Sequence, residues 1–300
     1  MYNGIINIYK EKGYTSHDVI AKMRGILKMK KIGHTGTLDP DATGVLPVCM
    51  GKGTKLVDLI TDRDKTYEAV IKLGITTDTQ DITGAVLKTS EVTVEFEQIE
   101  KVIISYIGEY LQLPPMYSAI KVDGKKLYEL ARQGIEIERE LRKVTIKDIR
   151  ILGYSKEEHE VTIVVDCGKG TYIRTLIHDI GETLGCGATM KSLIRTAVGN
   201  FKIEEALKLS ELESLVREER VSDYIVPVDS MFPTYDKINV DRDYHKLIYN
   251  GNAFAKEHTI QQATEVSEYV KVYDAEDEFI GIYRYDVDAL LFKPVKMFLA

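Results

Sequence analysis

Apolar residues change their spacing several times along the chain, and each change predicts an element. Ile5, Ile6 and Ile8 alternate with polar neighbours over Met1–Lys10, which predicts a first strand. Thr15-Ser16-His17-Asp18 then offers a capping box, and Val19, Ile20, Met23, Ile26 and Leu27 share one helical face. A stretch from Lys30 to Val48 follows neither period. Gly51-Lys52-Gly53-Thr54 opens a short helix through Leu56, Leu59 and Ile60, and Lys65–Gly74 alternates as a strand. A helix over about Glu95–Tyr106, strands over Val144–Leu152 and Val161–Asp166, and a helix with stripe Ile173, Leu176, Ile177, Ile180 and Leu184 come next. Helical patterns near Ile203–Leu207 and Ser210–Val216 lead to Val226–Pro233, which reads as a linker. Beyond it lie a helix near Arg242–Tyr249, ended by Asn250-Gly251, and strands near Tyr269–Tyr273, Phe279–Tyr285 and Val295–Phe298. The pattern predicts an α+β fold: a mixed, mainly antiparallel sheet flanked by helices over 1–232, then a small β-rich domain over 233–300.

The aperiodic stretch, Lys30-Lys31-Ile32-Gly33-His34-Thr35-Gly36-Thr37-Leu38-Asp39-Pro40-Asp41-Ala42-Thr43-Gly44-Val45-Leu46-Pro47-Val48, reads as a shaped loop. Pro40 fixes its own φ and pushes Asp39 out of the α region, so Asp39 is a carboxylate on a bent backbone. Val45–Val48 is apolar enough to enter the core. Turn capping by Asp39 and Asp41 accounts for these residues as well as chemistry does. His34, in the same loop, fits either a hydrogen bond within the turn or a wedge that fills space left by a displaced base. Lys22, Arg24, Lys28, Lys30 and Lys31 occur in a segment, Val19–Leu38, that has no Asp or Glu. That run is either a solvated helix face or a basic approach to the loop.

The loop closely resembles the signature of bacterial tRNA pseudouridine synthases of the TruB family. The resemblance continues through Lys65–Gly74, Gly74–Gly84, Gly108–Gly134, Cys167–Gly181 and Met190–Phe201, nearly the whole chain. It implies a pseudouridine-synthase sheet, a C-terminal PUA-like RNA-binding module, and isomerisation of uridine 55 in the tRNA T-loop. It also implies Asp39 as the catalytic carboxylate, Arg174 as its ion-pair partner and Tyr67 stacked on the target base. Tyr172 would contact the target nucleotide and Leu193 would lie against the base. By residue type alone, Arg174 is a surface salt-bridge former, and Tyr67 and Leu193 are core.

The resemblance implies that residues 118–150 are a thumb-like insertion that closes on RNA, although a plain solvated helix-loop would carry similar charges. Between Lys121 and Arg150 stand nine basic and six acidic residues, interleaved with Tyr128. Lys121, Lys125 and Arg132 are candidate phosphate contacts, with Lys30 and Lys31 on the other side.

Net charge is −7, which argues against a nucleic-acid partner until its distribution is read. Residues 1–202 carry 29 Lys and Arg against 27 Asp and Glu, whereas 203–300 carry 11 against 20. The acidity belongs to the C-terminal third. Cys49, Cys167 and Cys186 are odd in number and widely spaced, as expected of reduced thiols and not of a disulfide or zinc set. The N-terminus lacks signal-peptide features and no run is long enough for a membrane span, so a cytoplasmic monomer is expected.

No metal or cofactor is expected. Gly51-Lys52-Gly53-Thr54 fails the phosphate-loop pattern because Leu46 stands where its first Gly belongs, and Asp78 and Asp81 lack a calcium-loop series. Asp39-Pro40-Asp41-Ala42-Thr43 fits the Asp-x-Asp-x-Thr pattern of magnesium-dependent phosphatases, but no apolar strand precedes it. A non-catalytic RNA-binding or RNA-chaperone protein is the other rival.

Overall fold

A computed structural model describes residues 1–122, 124–260 and 267–299; Asp123, within the Gly108–Gly134 stretch, lies outside them. Strand β1 (Gly4–Lys10) leads into helix α1 (Ser16–Leu27), capped by Thr15 and Asp18 in the box expected from their spacing. Val19, Ile20, Met23 and Leu27 are its buried stripe. Strands β2 (Ile32–His34) and β3 (Thr43–Met50) flank the aperiodic loop, and β3 buries Val45, Leu46 and Val48 completely. The short helix α2 (Val57–Thr61) precedes β4 (Lys65–Leu73), whose odd-numbered residues are all buried. A small hairpin, β5 (Ile75–Thr77) with β6 (Val86–Thr89), is followed by helix α3 (Phe96–Ser105) and strand β7 (Gly108–Gln112).

Residues 113–141 make an excursion from the sheet. It holds the hairpin β8 (Lys121–Val122) with β9 (Lys125–Lys126), and helix α4 (Leu127–Ala131). Residues 142–150 are already back in the sheet as part of β10 (Arg142–Ser155). Strand β11 (Glu160–Cys167), helix α5 (Ile173–Leu184), strand β12 (Ala188–Val198) and the short β13 (Phe201–Lys202) complete this part.

The strands form one sheet in the order β1-β3-β12-β4-β11-β10-β7, with β2 paired to β3 and β13 to β12. All pairs are antiparallel except β3 with β12, so the sheet is mixed and mainly antiparallel, as the α+β reading required. Its core side packs against α3 and α5 through Ala69, Ile71, Ile163, Val165, Leu176, Ile177 and Ile180. The crossing of β3 and β12 is tight. A Cβ on Gly44, at φ +107°, would lie 2.2 Å from the Arg195 carbonyl oxygen.

Helix α6 (Leu209–Arg217) packs on α1 in a second cluster. A second sheet follows, in the order β14 (Asp236–Asn239), β16 (Tyr269–Tyr273), β17 (Phe279–Asp286), β18 (Leu291–Met297) and β15 (Phe254–Ala255), with helix α7 (His245–Tyr249) beside it.

The segment Val226–Pro233 is not a linker. Val226 exchanges backbone hydrogen bonds with Ile5 at 2.9 and 2.8 Å, and Val226, Val228, Met231 and Phe232 join one apolar cluster with Ile5, Val45, Ile282 and Phe298. Burying those side chains fixes what the proline and the polar residues left looking loose. No described helix is long and apolar enough to cross a membrane.

Candidate active site

The loop after β2 is fastened from three elements. Its backbone at Leu38 donates to the Ser16 hydroxyl at the start of α1 (2.9 Å). Lys10, at the end of β1, donates its ammonium to the carbonyls of Pro40 (3.0 Å) and Ala42 (2.6 Å). Arg195, on β12, donates to the carbonyls of Val45 (2.7 Å) and Gly36 (3.3 Å). Lys10 is fully buried, and burial brings its pKa down to about 8, so the ammonium persists at neutral pH. The turn closes with Ala42 N–H on the Asp39 carbonyl at 3.2 Å. Asp39 is thereby presented at the tip.

Arg174 meets it there. The second residue of α5 places Nε 3.0 Å from Asp39 Oδ2 and Nη2 3.3 Å from Oδ1, a two-point contact. Its remaining donors reach the Tyr117 carbonyl (2.8 Å), the Thr79 carbonyl (3.1 Å) and Asp81 Oδ2 (3.4 Å). The Arg174 side chain is only 6% exposed, while that of Asp39 is 40% exposed. The arginine is therefore an internal brace, and the carboxylate keeps an open face. Burial pushes the Asp39 carboxyl above its ordinary range; Arg174 pulls it back, and Asp81 adds to the upward push.

Apolar residues flank the loop that carries the carboxylate. Leu38 and Ala42, on either side of Asp39, belong to one cluster with Tyr67 of β4 and Leu193 of β12. Tyr67 is directly across from Arg195 in the β4–β12 register and engages its side chain. Tyr172 is the N-cap of α5, and burial raises its phenol while the neighbouring Ser118 hydroxyl pulls it down. His34 ends β2, half-buried, with its ring edge-on to His17 at 5.2 Å; burial drops it to about 4, so it is neutral. Asp39, Arg174, Tyr67 and Tyr172 thus come together, and Leu193 shares the apolar cluster of Tyr67. Lys30 and Lys31 are exposed just before β2, and Lys121, Lys125 and Arg132 are exposed on the excursion, apart from the Asp39–Arg174 contact. Arg132 lies over the Tyr128 ring at 5.4 Å.

Several site residues escaped the sequence reading. Lys10 and Arg195 carried a signal: each sits at a position whose alternation assigns it to the buried face, after Ile6 and Ile8 in one case and Leu193 in the other. Asp81 carried none that spacing could expose. Among the described residues, His245, Asp274 and Glu276 lie close enough to share a cation. The donor atoms are already engaged, with Asp274 accepting from the Glu276 and Glu278 amides and the Tyr249 hydroxyl, and His245 from the Ala275 amide.

The sheet and its helices are those of a pseudouridine synthase. Family models described as "TruB family pseudouridylate synthase (N terminal domain)" and "tRNA pseudouridylate synthase B C-terminal domain" match residues 24–173 and 174–233, and the chain belongs to the TruB family. It is 54% identical to tRNA pseudouridine synthase B of Lachnoclostridium phytofermentans, over 99% of this chain and 100% of that protein. The corresponding protein of Alkaliphilus oremlandii is 49% identical, covering 93% and 92%. Among solved structures, a Cbf5-Nop10-Gar1 complex is similar at TM-score 0.70 and 28% identity, and an H/ACA RNP bound to a substrate RNA containing 2′-deoxyuridine at 0.70 and 25%. Each alignment covers 99% of this chain and 85% of the other. The chain is an isomerase that converts uridine to pseudouridine in tRNA.

Proposed function

We propose that the target is uridine 55 in the T-loop of tRNA, and that Asp39 is the carboxylate that acts on it after the base has left its stack. The two-point contact of Arg174 with Asp39 carries this reading. Desolvation would otherwise favour the neutral form of this acid, and the guanidinium opposes that while fixing its direction.

The reaction breaks the N1–C1′ bond, turns the base and joins C5 to C1′, with loss of the C5 hydrogen. Asp39 serves either by covalent addition or by removing a ribose proton to give a glycal. Tyr67, Tyr172 and Leu193 receive the flipped base, with stacking worth about 1–3 kcal/mol per base. His34, neutral and at the mouth, occupies the space the nucleotide vacates. Lys30 and Lys31 on one side, and Lys121, Lys125 and Arg132 on the excursion 113–141, hold phosphates. Residues 1–232 act as the catalytic domain and 233–300 as a PUA-like module, in a monomer working without metal or cofactor.

The test is tritium release from tRNA transcript labelled at uridine C5, in buffer containing EDTA. Stoichiometric release at one uridine per tRNA, lost in Asp39→Asn, is the expected outcome. Release by Asp39→Asn, or tight binding without release by the wild type, overturns the reading.

A further inference from the structure

We propose that Gln112 is a positioning residue for the isomerisation, its side-chain amide clamping both backbone polar groups of Tyr172 and so setting the first turn of α5 from which Arg174 reaches Asp39. Gln112 Oε1 accepts from the Tyr172 N–H at 2.8 Å, and Gln112 Nε2 donates to the Tyr172 carbonyl at 3.0 Å. The second Nε2 hydrogen goes to the Tyr110 hydroxyl. Because a backbone N–H can only donate, the amide has a single orientation.

The clamped residue is the N-cap of α5. Its carbonyl also accepts the first helical bond, from Leu176 N–H at 3.0 Å, and no side chain caps the helix in the usual way. Gln112 supplies that anchorage from another element, the last residue of edge strand β7. It is 1% exposed, so it cannot meet the RNA. The chain leaving β7 then passes through Pro114 and Pro115 to Tyr117, whose carbonyl receives Arg174 Nη2. One short segment therefore fixes the helix start at Tyr172 and the guanidinium two residues on. A pair that must meet in a two-point geometry is sensitive to a small rotation of that turn.

The clamp rests on the proposed roles of Asp39 and Arg174, and the experiment separates the two. Full-length wild type, Gln112→Met, Gln112→Glu and Asp39→Asn are compared on C5-tritiated tRNA, with thermal unfolding as the control for folding. Gln112→Met keeps the length and loses the hydrogen bonds; kcat should fall about 10- to 100-fold, with KM for tRNA within about three-fold of wild type. An ionised glutamate accepts from the Tyr172 N–H but cannot donate to its carbonyl, whereas the protonated acid does both. The kcat of Gln112→Glu relative to wild type should therefore rise as pH falls from about 9 to about 6, since burial raises a carboxyl from its ordinary value near 4.3. A packing role would leave that ratio flat.

Wild-type kcat in both Gln112 variants, a loss confined to KM, or a flat ratio overturns the clamp. If Gln112→Met fails to fold, the pH ratio of Gln112→Glu decides alone. An inactive Asp39→Asn beside wild-type-like Gln112 variants removes only the clamp; an active Asp39→Asn removes the site reading beneath it.

Discussion

A guanidinium has five N–H donors, and Arg174 aims them at Asp39, Asp81 and two backbone carbonyls. Opposed effects on Asp39 give its activity a definite pH dependence. Desolvation and Asp81 raise its pKa above the ordinary carboxylate value, and Arg174 lowers it. On the proposed role of Asp39 the reactive species is its anion, so the rate should fall as pH drops through that raised pKa. Removing the lowering influence in Arg174→Met should move this acidic limb to higher pH and cut the rate by at least about 100-fold. Single-turnover tritium release across pH checks it, and an unmoved limb would mean Arg174 does not govern the ionisation. Asp39 and Arg174 were legible in sequence through the motif that surrounds each. Asp81 was not, because its role depends on where a turn-rich segment folds back, and a segment full of turn formers such as Thr79 and Gly84 reads the same whether or not its aspartates face inward. Buried Lys10 and Arg195 sit between these cases: alternation marked their faces, but only the structure supplied the carbonyls that make a buried cation tolerable.

Strands and helices were readable wherever one face repeats. β4, α1 and α5 match their expected spans because burial of alternate or every third to fourth residue is written in residue type. β14 and β15 were missed, being four and two residues long and, in β14, beginning with Asp236-Lys237. Their pairing depends on partners distant in sequence. The loop that carries Asp39 is held by the parallel pairing of β3 with β12, where Gly44 meets Arg195. A methyl at position 44 must displace backbone, not a flexible side chain. Gly44→Ala should therefore destabilise the protein by about 2–4 kcal/mol and lower kcat more than tRNA affinity. Chemical denaturation and filter binding measure the two, and a loss below about 0.5 kcal/mol would show that the crossing yields easily.

The two sheets share a core. Ile5, Val45 and Leu56 from the first side meet Ile282 and Phe298 from the second, and Lys52 pairs with Glu278 across the exposed rim at 2.6 Å. Phe298→Ala should cost about 3–5 kcal/mol and leave one cooperative unfolding transition. Two resolved transitions in calorimetry would mean that the sheets melt independently.

The order of the first sheet also sets a timetable for synthesis. β3 and β4 are consecutive in the chain among its long strands, yet β12 lies between them, and β1 is bordered by Leu207 and Val226. Neither seam can close until those later residues have left the ribosome. At about 5–20 residues per second, β1 waits roughly 10–40 s for Val226. Throughout that interval its isoleucines have no final partner on that side, so the nascent chain is most exposed to aggregation just before its last third is made.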